Sequence, residues 1–324
     1  MKKYVIFVII ICTILWAQEE DPLAERIEKL SEELFEGYTQ PLVTAFGTAI
    51  STGLFHSAYS HDFLGFDFGV RGMYIQVPHS AKYFSGTALL CSLGTDGLVY
   101  DSVDLDSVST VFGPDEETIV PTTGNAVGIP QTIPGGFDVS GVPLVVPQLN
   151  IGLPAGSEIA IRYIPFIYQG SRMRFMGIGI KQELTRLPPF NMVPMPVAIA
   201  IGGAYQRFGV KDSLGKQIVN SSNWVIQLLV SKRIAVFEPF AGVGYEDTKV
   251  YLSYEFEYQI PDTVSGIPTD RITVTEDIDV EIYGQNHYRA MIGFNLNLGF
   301  IYLHYDYNFL PYAVHNAIIG ITIR

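Results

Sequence analysis

Residues 294–309, FNLNLGFIYLHYDYNF, change character at every step. Phe294, Leu296 and Leu298 share one face, and Asn295 and Asn297 the other. After Gly299, Ile301, Leu303, Tyr305, Tyr307 and Phe309 oppose Tyr302, His304, Asp306 and Asn308. A period of two belongs to a β-strand and does not fit the 3.6-residue repeat of a helix. The pattern recurs along the chain. Leu64, Phe66, Phe68, Val70 and Tyr74 oppose Asp67, Arg71 and Met73, and Trp224, Ile226, Leu228 and Val230 oppose Asn223, Gln227 and Ser231. Tyr288, Ala290 and Ile292 oppose Arg289 and Gly293. In 249–260, Val250, Leu252, Tyr254, Phe256, Tyr258 and Ile260 form an apolar face against Ser253, Glu255, Glu257 and Gln259. Such segments start near 157, 172, 195, 218, 234, 249, 272, 287, 300 and 314. With 64–77 and weaker candidates at 82–93 and 144–152, they predict roughly 12 to 14 strands of about barrel-strand length.

Alternation alone also fits a secreted sandwich or a lipocalin-like barrel, whose apolar faces look inward. Composition separates the cases. The chain is 48% hydrophobic and only 16% charged, with a mean hydropathy of +0.24, against about 25% charged residues in an ordinary soluble domain. Yet no apolar run after residue 17 is long enough to span a bilayer as a helix; MPVAIAIGGA (195–204) is the nearest. The apolar faces are rich in aromatic residues suited to interfacial girdles, among them Tyr251, Tyr254, Tyr258, Tyr302, Tyr305, Tyr307, Phe309 and Tyr312. The opposite faces carry charges in mid-strand. The apolar face therefore looks to lipid, and strands that cross lipid must close on themselves to satisfy their backbone groups. The expected fold is all-β: a transmembrane antiparallel β-barrel with a short N-terminal helical plug or hatch.

The first 17 residues have the anatomy of a cleaved secretory signal peptide: Lys2 and Lys3, an apolar run from Tyr4 to Trp16, then Ala17 before a polar stretch. Export to the bacterial outer membrane follows. Residues 18–60 form the expected plug. In AERIEKLSEELF (24–35), Ile27, Leu30 and Leu34 fall on one helical face, and PLVTAFGTAISTGLFHSA (41–58) suits a second short helix whose small residues permit close approach. The barrel is expected over 61–324, with a long Gly/Pro/Asp-rich insert at 94–156. Removing Lys2 and Lys3 with the leader takes the formal charge from −13 to −15, and no basic run is present to neutralise phosphates, so nucleic acid is disfavoured as a partner. Cleavage also leaves Cys91 without a second cysteine, which excludes an internal disulfide and a cysteine metal site.

Chemistry is expected on the polar face. Asp67, Arg71, Glu158, Arg162, Lys181, Gln227, Glu238, Glu255, Glu257, Arg289, Asn295, His304 and Asp306 are the candidate lumen-lining residues, either as a hydrated, ion-paired interior or as a selectivity lining. Phe46, Gly47, Gly53, Phe55 and His56 are the plug candidates. His304 and Asp306 share a face, so a carboxylate could orient the imidazole, but no local motif marks a serine nucleophile; no catalytic residue is assigned. Asp101, Asp104 and Asp106, expected in a loop, match no calcium-loop spacing. Gly177, Gly179, Gly202 and Gly203 precede no helix, so they suit close packing of the plug rather than phosphate binding. Neither a metal nor a cofactor is expected.

Four stretches carry a family resemblance: PLVTAFGTAISTGLFHSA (41–58), STVFGP (109–114), VPLVVPQLNIGLPAGSEIAIRYIP (142–165) and GIGIKQELTRLPPFNMVPMPVAIAIGGAYQ (177–206). On these the chain resembles an uncharacterised family of predicted outer-membrane barrels, a domain of unknown function. More distantly it is similar to FadL-type hydrophobic-compound transporters. The second resemblance implies an N-terminal hatch inside the barrel carrying Asn-Pro-Ala, a motif absent here; it also implies a small hydrophobic solute. Two functional readings result. One is a channel or transporter gated by the N-terminal segment. The other is a non-transporting structural or secretion-associated barrel with a protein partner at 94–156. An outer-membrane hydrolase is a distant third.

Overall fold

The computed structural model describes residues 32–94, 97–120, 132–168, 171–192, 195–211, 215–264 and 267–323. The expected leader at 1–17 lies outside them, as do residues 18–31 and the side chains of Cys91, Asp101, Glu255 and Glu257. One helix opens the described chain, α1 (Glu32–Ser51). Fifteen strands follow: β1 (Phe66–Gln76), β2 (Tyr83–Gly94), β3 (Gly97–Ser109), β4 (Thr118–Ile119), β5 (Thr132–Ile133), β6 (Gly141–Gly152), β7 (Ser157–Tyr168), β8 (Ser171–Glu183), β9 (Ala198–Lys211), β10 (Gln217–Ser231), β11 (Phe237–Val264), β12 (Ile267–Tyr283), β13 (Tyr288–Leu298), β14 (Ile301–Phe309) and β15 (Val314–Ile323).

Ten of these close into an antiparallel barrel in the order β1-β6-β7-β8-β9-β10-β11-β13-β14-β15, with β15 returning to β1. The count is smaller than alternation predicts, for a specific reason. The segments starting near 249 and 272 alternate as regularly as the rest and the one near 82 more weakly, but all three build hairpins beyond the barrel. β2 pairs only with β3, and β11 continues past its last pairing with β10, at Leu252, into a hairpin with β12. Asp104, placed by spacing in a loop, lies in β3, where its carboxylate accepts from the Thr87 hydroxyl. The break at Gly299 is the two-residue connection of β13 to β14, and Gly299 supplies the positive φ (77°) such a tight hairpin needs.

The barrel has two unlike ends. At the turn end, residues 153–156, 184–197, 232–236 and 299–300 connect strands, and β15 finishes there. At the insert end, 77–140 runs from β1 to β6 and the β11–β12 hairpin rises. The stretch 94–156, expected as one insert, therefore divides: β6 and the start of the β6–β7 turn belong to the barrel wall.

Burial follows the alternation. Phe68, Val70 and Tyr74 of β1 are exposed outward, while Asp67 and Arg71 between them are fully buried. Ile178 and Ile180 of β8, Ile226 of β10, Ile292 of β13 and Ile319 of β15 are likewise outward and exposed. The result is a greasy outside and a polar inside, the reverse of a water-soluble barrel and the arrangement a bilayer requires.

The N-terminal segment occupies the bore. Among its described residues there is one helix, α1, which runs through Pro41 to Ser51, while most of the helix expected at 24–35 lies outside them. Proline has no N–H to give the carbonyl four residues earlier; the helix nonetheless holds because its sides are packed. Leu34, Phe35, Tyr38, Val43, Ala49 and Ile50 join one apolar cluster with Val108, Val111, Phe112 and Ile133 of the insert and Met73, Ile75, Val250 and Ile282 of the strands. Val250 thus looks inward, the opposite of its sequence-based assignment to lipid. The apolar partner for that face is α1, which a reading of β11 alone has no way to see.

Candidate functional site

A helix with side chains is about 10–12 Å across, wide for a ten-stranded bore. The small residues Ala45, Gly47, Thr48, Ala49 and Ser51 make α1 slender where it enters the wall. Gly47 faces the Thr248 side chain so closely that a Cβ would lie 2.7 Å from the Thr248 Cβ. After Ser51 the chain turns through Gly53, at φ 62°, and descends as an irregular strap to residue 62 before β1 begins.

Leu54, Phe55 and Ala58 of this strap join an apolar cluster with Ala200, Val225, Leu229 and Phe240 of the wall, and wall side chains hold its backbone. A helix leaves its last carbonyls without partners and accumulates negative potential there; two arginines meet that end. Arg162 donates from Nη1 to the Ile50 carbonyl (2.6 Å) and from Nη2 to that of Thr52 (2.9 Å), and Arg71 Nε donates to the Gly53 carbonyl (2.7 Å). Gln206 adds a bond to Ile50 (2.8 Å) and Gln148 one to Leu54 (2.6 Å). Lower down, Asn295 donates to the His56 carbonyl (2.7 Å), and Lys181 Nζ to those of Ser57 (3.0 Å) and Tyr59 (2.9 Å). In the other direction, the Ala58 and Ser60 N–H groups donate to Ser231 Oγ and Glu183 Oε2, and the Ser57 hydroxyl to Glu238.

Charges behind these contacts are largely paired. Lys181 lies 3.2 Å from Glu158, which also accepts from His61 Nδ1 at 2.9 Å. Asp67 receives the Tyr302 hydroxyl (2.9 Å) and Asn150 (2.9 Å) and lies 3.8 Å from Arg71. Arg289 pairs with Glu246 (2.6 Å) and bonds Gln227 (2.8 Å); Arg233 pairs with Glu238 (3.0 Å). Arg162 differs. Among the described residues no carboxylate comes within salt-bridge reach of it, so the carbonyl end of α1 and the side-chain oxygens of Gln148 and Gln206 are what face its charge.

Asp67, Arg71, Glu158, Arg162, Lys181, Gln227, Glu238, Arg289, Asn295, His304 and Asp306 are all buried inside the wall. Glu255 and Glu257 fall on β11 beyond its pairing with β10, outside the residues whose side chains are described. Of the plug candidates, Phe46 packs on Phe208 with ring centroids 5.0 Å apart, Gly53 turns the strap, and Phe55 lies flat over Gly179 and Gly202. His56 stacks on Tyr302 at 4.8 Å. Inward residues that the sequence reading passed over include Gln148, Asn150, Gln206, Glu246 and Asn316. Their positions in the same alternation were the available signal. Tyr302 and Tyr312, expected in an outer girdle, are buried; Tyr302 fits over Gly69 and Gly320 of the neighbouring strands.

The His304–Asp306 pair forms, with Nε2 2.6 Å from the carboxylate, but Nδ1 is taken up by Asn295 Oδ1 at 2.7 Å. Both ring nitrogens are therefore engaged, and neither faces a hydroxyl. His61, Asp67 and Glu158 come close enough to suggest a metal cluster; Lys181 and Arg71 already occupy the same carboxylates. At the turn end a cavity of about 80 Å³ opens between the strap and the wall, lined by His56, Ser57, His61, Lys181, Asn295 and Tyr302. It is polar and roomy enough for water.

The barrel is similar in fold to the translocator domain of the autotransporter NalP from Neisseria meningitidis, at 10% identity and a TM-score of 0.26, over 86% of this chain and 93% of that one. It is similar also to the β-domain of the Bordetella autotransporter BrkA, at 11% identity and a TM-score of 0.23, over 79% and 98%. A third similar structure is the outer-membrane channel DcaP of Acinetobacter baumannii, at 10% identity and a TM-score of 0.19, over 80% and 96%. No curated protein matches the sequence. A family of unknown function, DUF6588, matches residues 1–323, and the chain belongs to it.

Proposed function

We propose that this protein sits in the bacterial outer membrane as a gated channel whose N-terminal segment closes the bore. The observation that carries the reading is how the strap is held. Wall side chains grip its carbonyls and amides through polar bonds that water can replace, and its Leu54, Phe55 and Ala58 join only a small apolar cluster with the wall, whereas α1 above it is buried in a larger one. A segment held through exchangeable hydrogen bonds and a small apolar cluster loses less on leaving than one held by extensive burial, the main apolar surface uncovered being that of Leu54 and Phe55. With the strap displaced, the walls would present Asp, Glu, Arg, Lys, Asn and Gln, a lining suited to a small hydrophilic solute rather than a hydrophobic one.

Single-channel conductance in planar bilayers tests this. The full chain should be nearly silent, and a variant lacking residues 18–60 should open steady channels. Silence from both, in protein that migrates on gels as a heat-modifiable folded barrel, removes transport from consideration. That result would favour a second reading, a static structural barrel. What speaks for it is the filled interior, where α1 and the strap pack against the wall through both apolar clusters and the hydrogen bonds described above. The insert speaks less for a protein partner at 94–156, because Val108, Val111, Phe112 and Ile133 are already committed to α1.

A further inference from the structure

The outward faces of β1, β6, β7, β10, β13, β14 and β15 carry no Asp, Glu, Lys or Arg. The charges that do point outward gather at one place. Arg172 and Arg174 project from β8, in line with Met176, Ile178 and Ile180; Arg207 and Lys211 project from β9, in line with Ile201 and Tyr205. The ladder sets Arg172 opposite Lys211, Arg174 opposite Gly209 and Met176 opposite Arg207. With strands about 4.8 Å apart and same-face residues about 7 Å apart along each, the four cations share a patch roughly 15 Å long. All four are exposed, and among the described residues none has a carboxylate within salt-bridge reach. The remaining outward charges in the wall, Asp247 and Lys249 of β11, include a cation already paired, with Glu281 at 2.6 Å.

The depth of the patch is marked by aromatic residues. Tyr163 stands on the rung of Met176 and Arg207, and Tyr205, Trp224 and Tyr245 follow toward the middle of the barrel; Tyr205 is the ladder partner of Trp224, which contacts Tyr245 with ring centroids 5.2 Å apart. Tyrosine and tryptophan on an outer wall mark the membrane–water boundary. The patch lies just past that boundary, at the insert end, the end where outer-membrane barrels keep their long external loops. Unpaired guanidinium groups at headgroup depth meet phosphate oxygens, which an arginine fork binds in a bidentate manner.

We propose that the β8–β9 wall binds a phosphorylated glycolipid of the outer leaflet, its phosphates held by Arg172, Arg174, Arg207 and Lys211. The spread of the cations over two strands and several rungs suits a headgroup bearing more than one phosphate. The inference rests on the outer-membrane placement proposed above.

Native mass spectrometry of the detergent-purified full chain tests it, with bisphosphorylated lipid A as the probe. Dephosphorylated lipid A, phosphatidylglycerol and inorganic phosphate are the comparators. The full chain should retain bisphosphorylated lipid A above all three. The R172Q/R174Q/R207Q/K211Q variant should retain it at least about tenfold less, R172Q/R174Q should fall between, and K232Q at the turn end should match the unaltered chain. Equal retention by the fourfold variant overturns the proposal. So does equal retention of dephosphorylated lipid A, which would assign binding to the apolar wall, and so does equal retention of phosphatidylglycerol or inorganic phosphate. Heat-modifiable migration and membrane fractionation of each variant report separately on the outer-membrane barrel itself.

Discussion

Arg162→Met isolates the grip on the helix end. Arg162 is buried and donates four hydrogen bonds, to the carbonyls of Ile50 and Thr52 and to the side-chain oxygens of Gln148 and Gln206. Methionine fills similar space and makes none of them. A hydrogen bond from a charged donor contributes about 1.5–3 kcal/mol, so the gross loss is on the order of 6–12 kcal/mol. Two effects reduce it. The variant no longer buries a cation, which relieves a desolvation cost of several kcal/mol. The Ile50 carbonyl also keeps its bond from Gln206, leaving Thr52 as the orphan of the pair. The net weakening of strap docking should be about 3 kcal/mol, or roughly a hundredfold more time undocked at about 1.4 kcal/mol per tenfold.

Hydrogen exchange followed by mass spectrometry reads that number. Amides at Ala58 and Ser60, bonded to Ser231 and Glu183, should exchange roughly a hundredfold faster in Arg162→Met, while those of β13 and β14 stay as protected as before. Channel events should become correspondingly more frequent in bilayers. Unchanged exchange across 50–60 in a folded variant barrel would refute the reasoning, because it would mean that the cation's burial cost cancels its bonds and that the strap is held by something else.

Gly202→Val should displace the strap from the other side: its Cβ would lie 2.8 Å from the Phe55 ring carbons. Overpacking of about 1–3 kcal/mol should then lower the temperature of heat-modifiable unfolding and raise conductance. Lys181→Met removes donors to two strap carbonyls and leaves Glu158 buried with His61 alone. The cost should be about 3–5 kcal/mol, partly recovered in the K181M/E158Q double variant; a melting temperature no higher in the double than in the single would show that the pair is not coupled.

The lipid-facing and inward faces were legible because the bilayer imposes one rule on every wall position. Asp67 between Phe66 and Phe68, and Asn295 between Phe294 and Leu296, announce their direction locally. The strand number was not legible in the same way. β2, β12 and the outer part of β11 keep a strand's alternation outside the barrel, since a hairpin half-covered by a helix obeys the same period. Val250 shows where the rule fails: an apolar face means lipid only where lipid is the available apolar partner, and beside α1 it is not. Tyr302 sets two signals against each other: its parity places it with His304 and Asp306, its ring in a girdle, and parity prevails because Gly69 and Gly320, distant in sequence, leave room for the ring once the barrel closes.

The closing of the bore joins these features. A barrel of ten strands has little room for a helix, and the small side chains of 45–53 are what make threading sterically possible. Small side chains, however, bury little apolar surface, so this part of the segment cannot be held by hydrophobic contact alone. The wall answers with Arg71, Gln148, Arg162, Lys181 and Asn295, which reach the backbone that small residues leave accessible. The upper part of α1, with Leu34, Phe35, Tyr38 and Val43, is fixed instead by the insert that covers it. Two modes of attachment within one segment mean two stabilities. Residues 54–62 face the turn end and are held by bonds water can supply together with a small apolar cluster around Leu54, Phe55 and Ala58, while residues 34–50 sit in the larger apolar cluster beneath the insert. Any opening of the bore should therefore begin at the turn end, with the strap, and leave the helix seated beneath the insert.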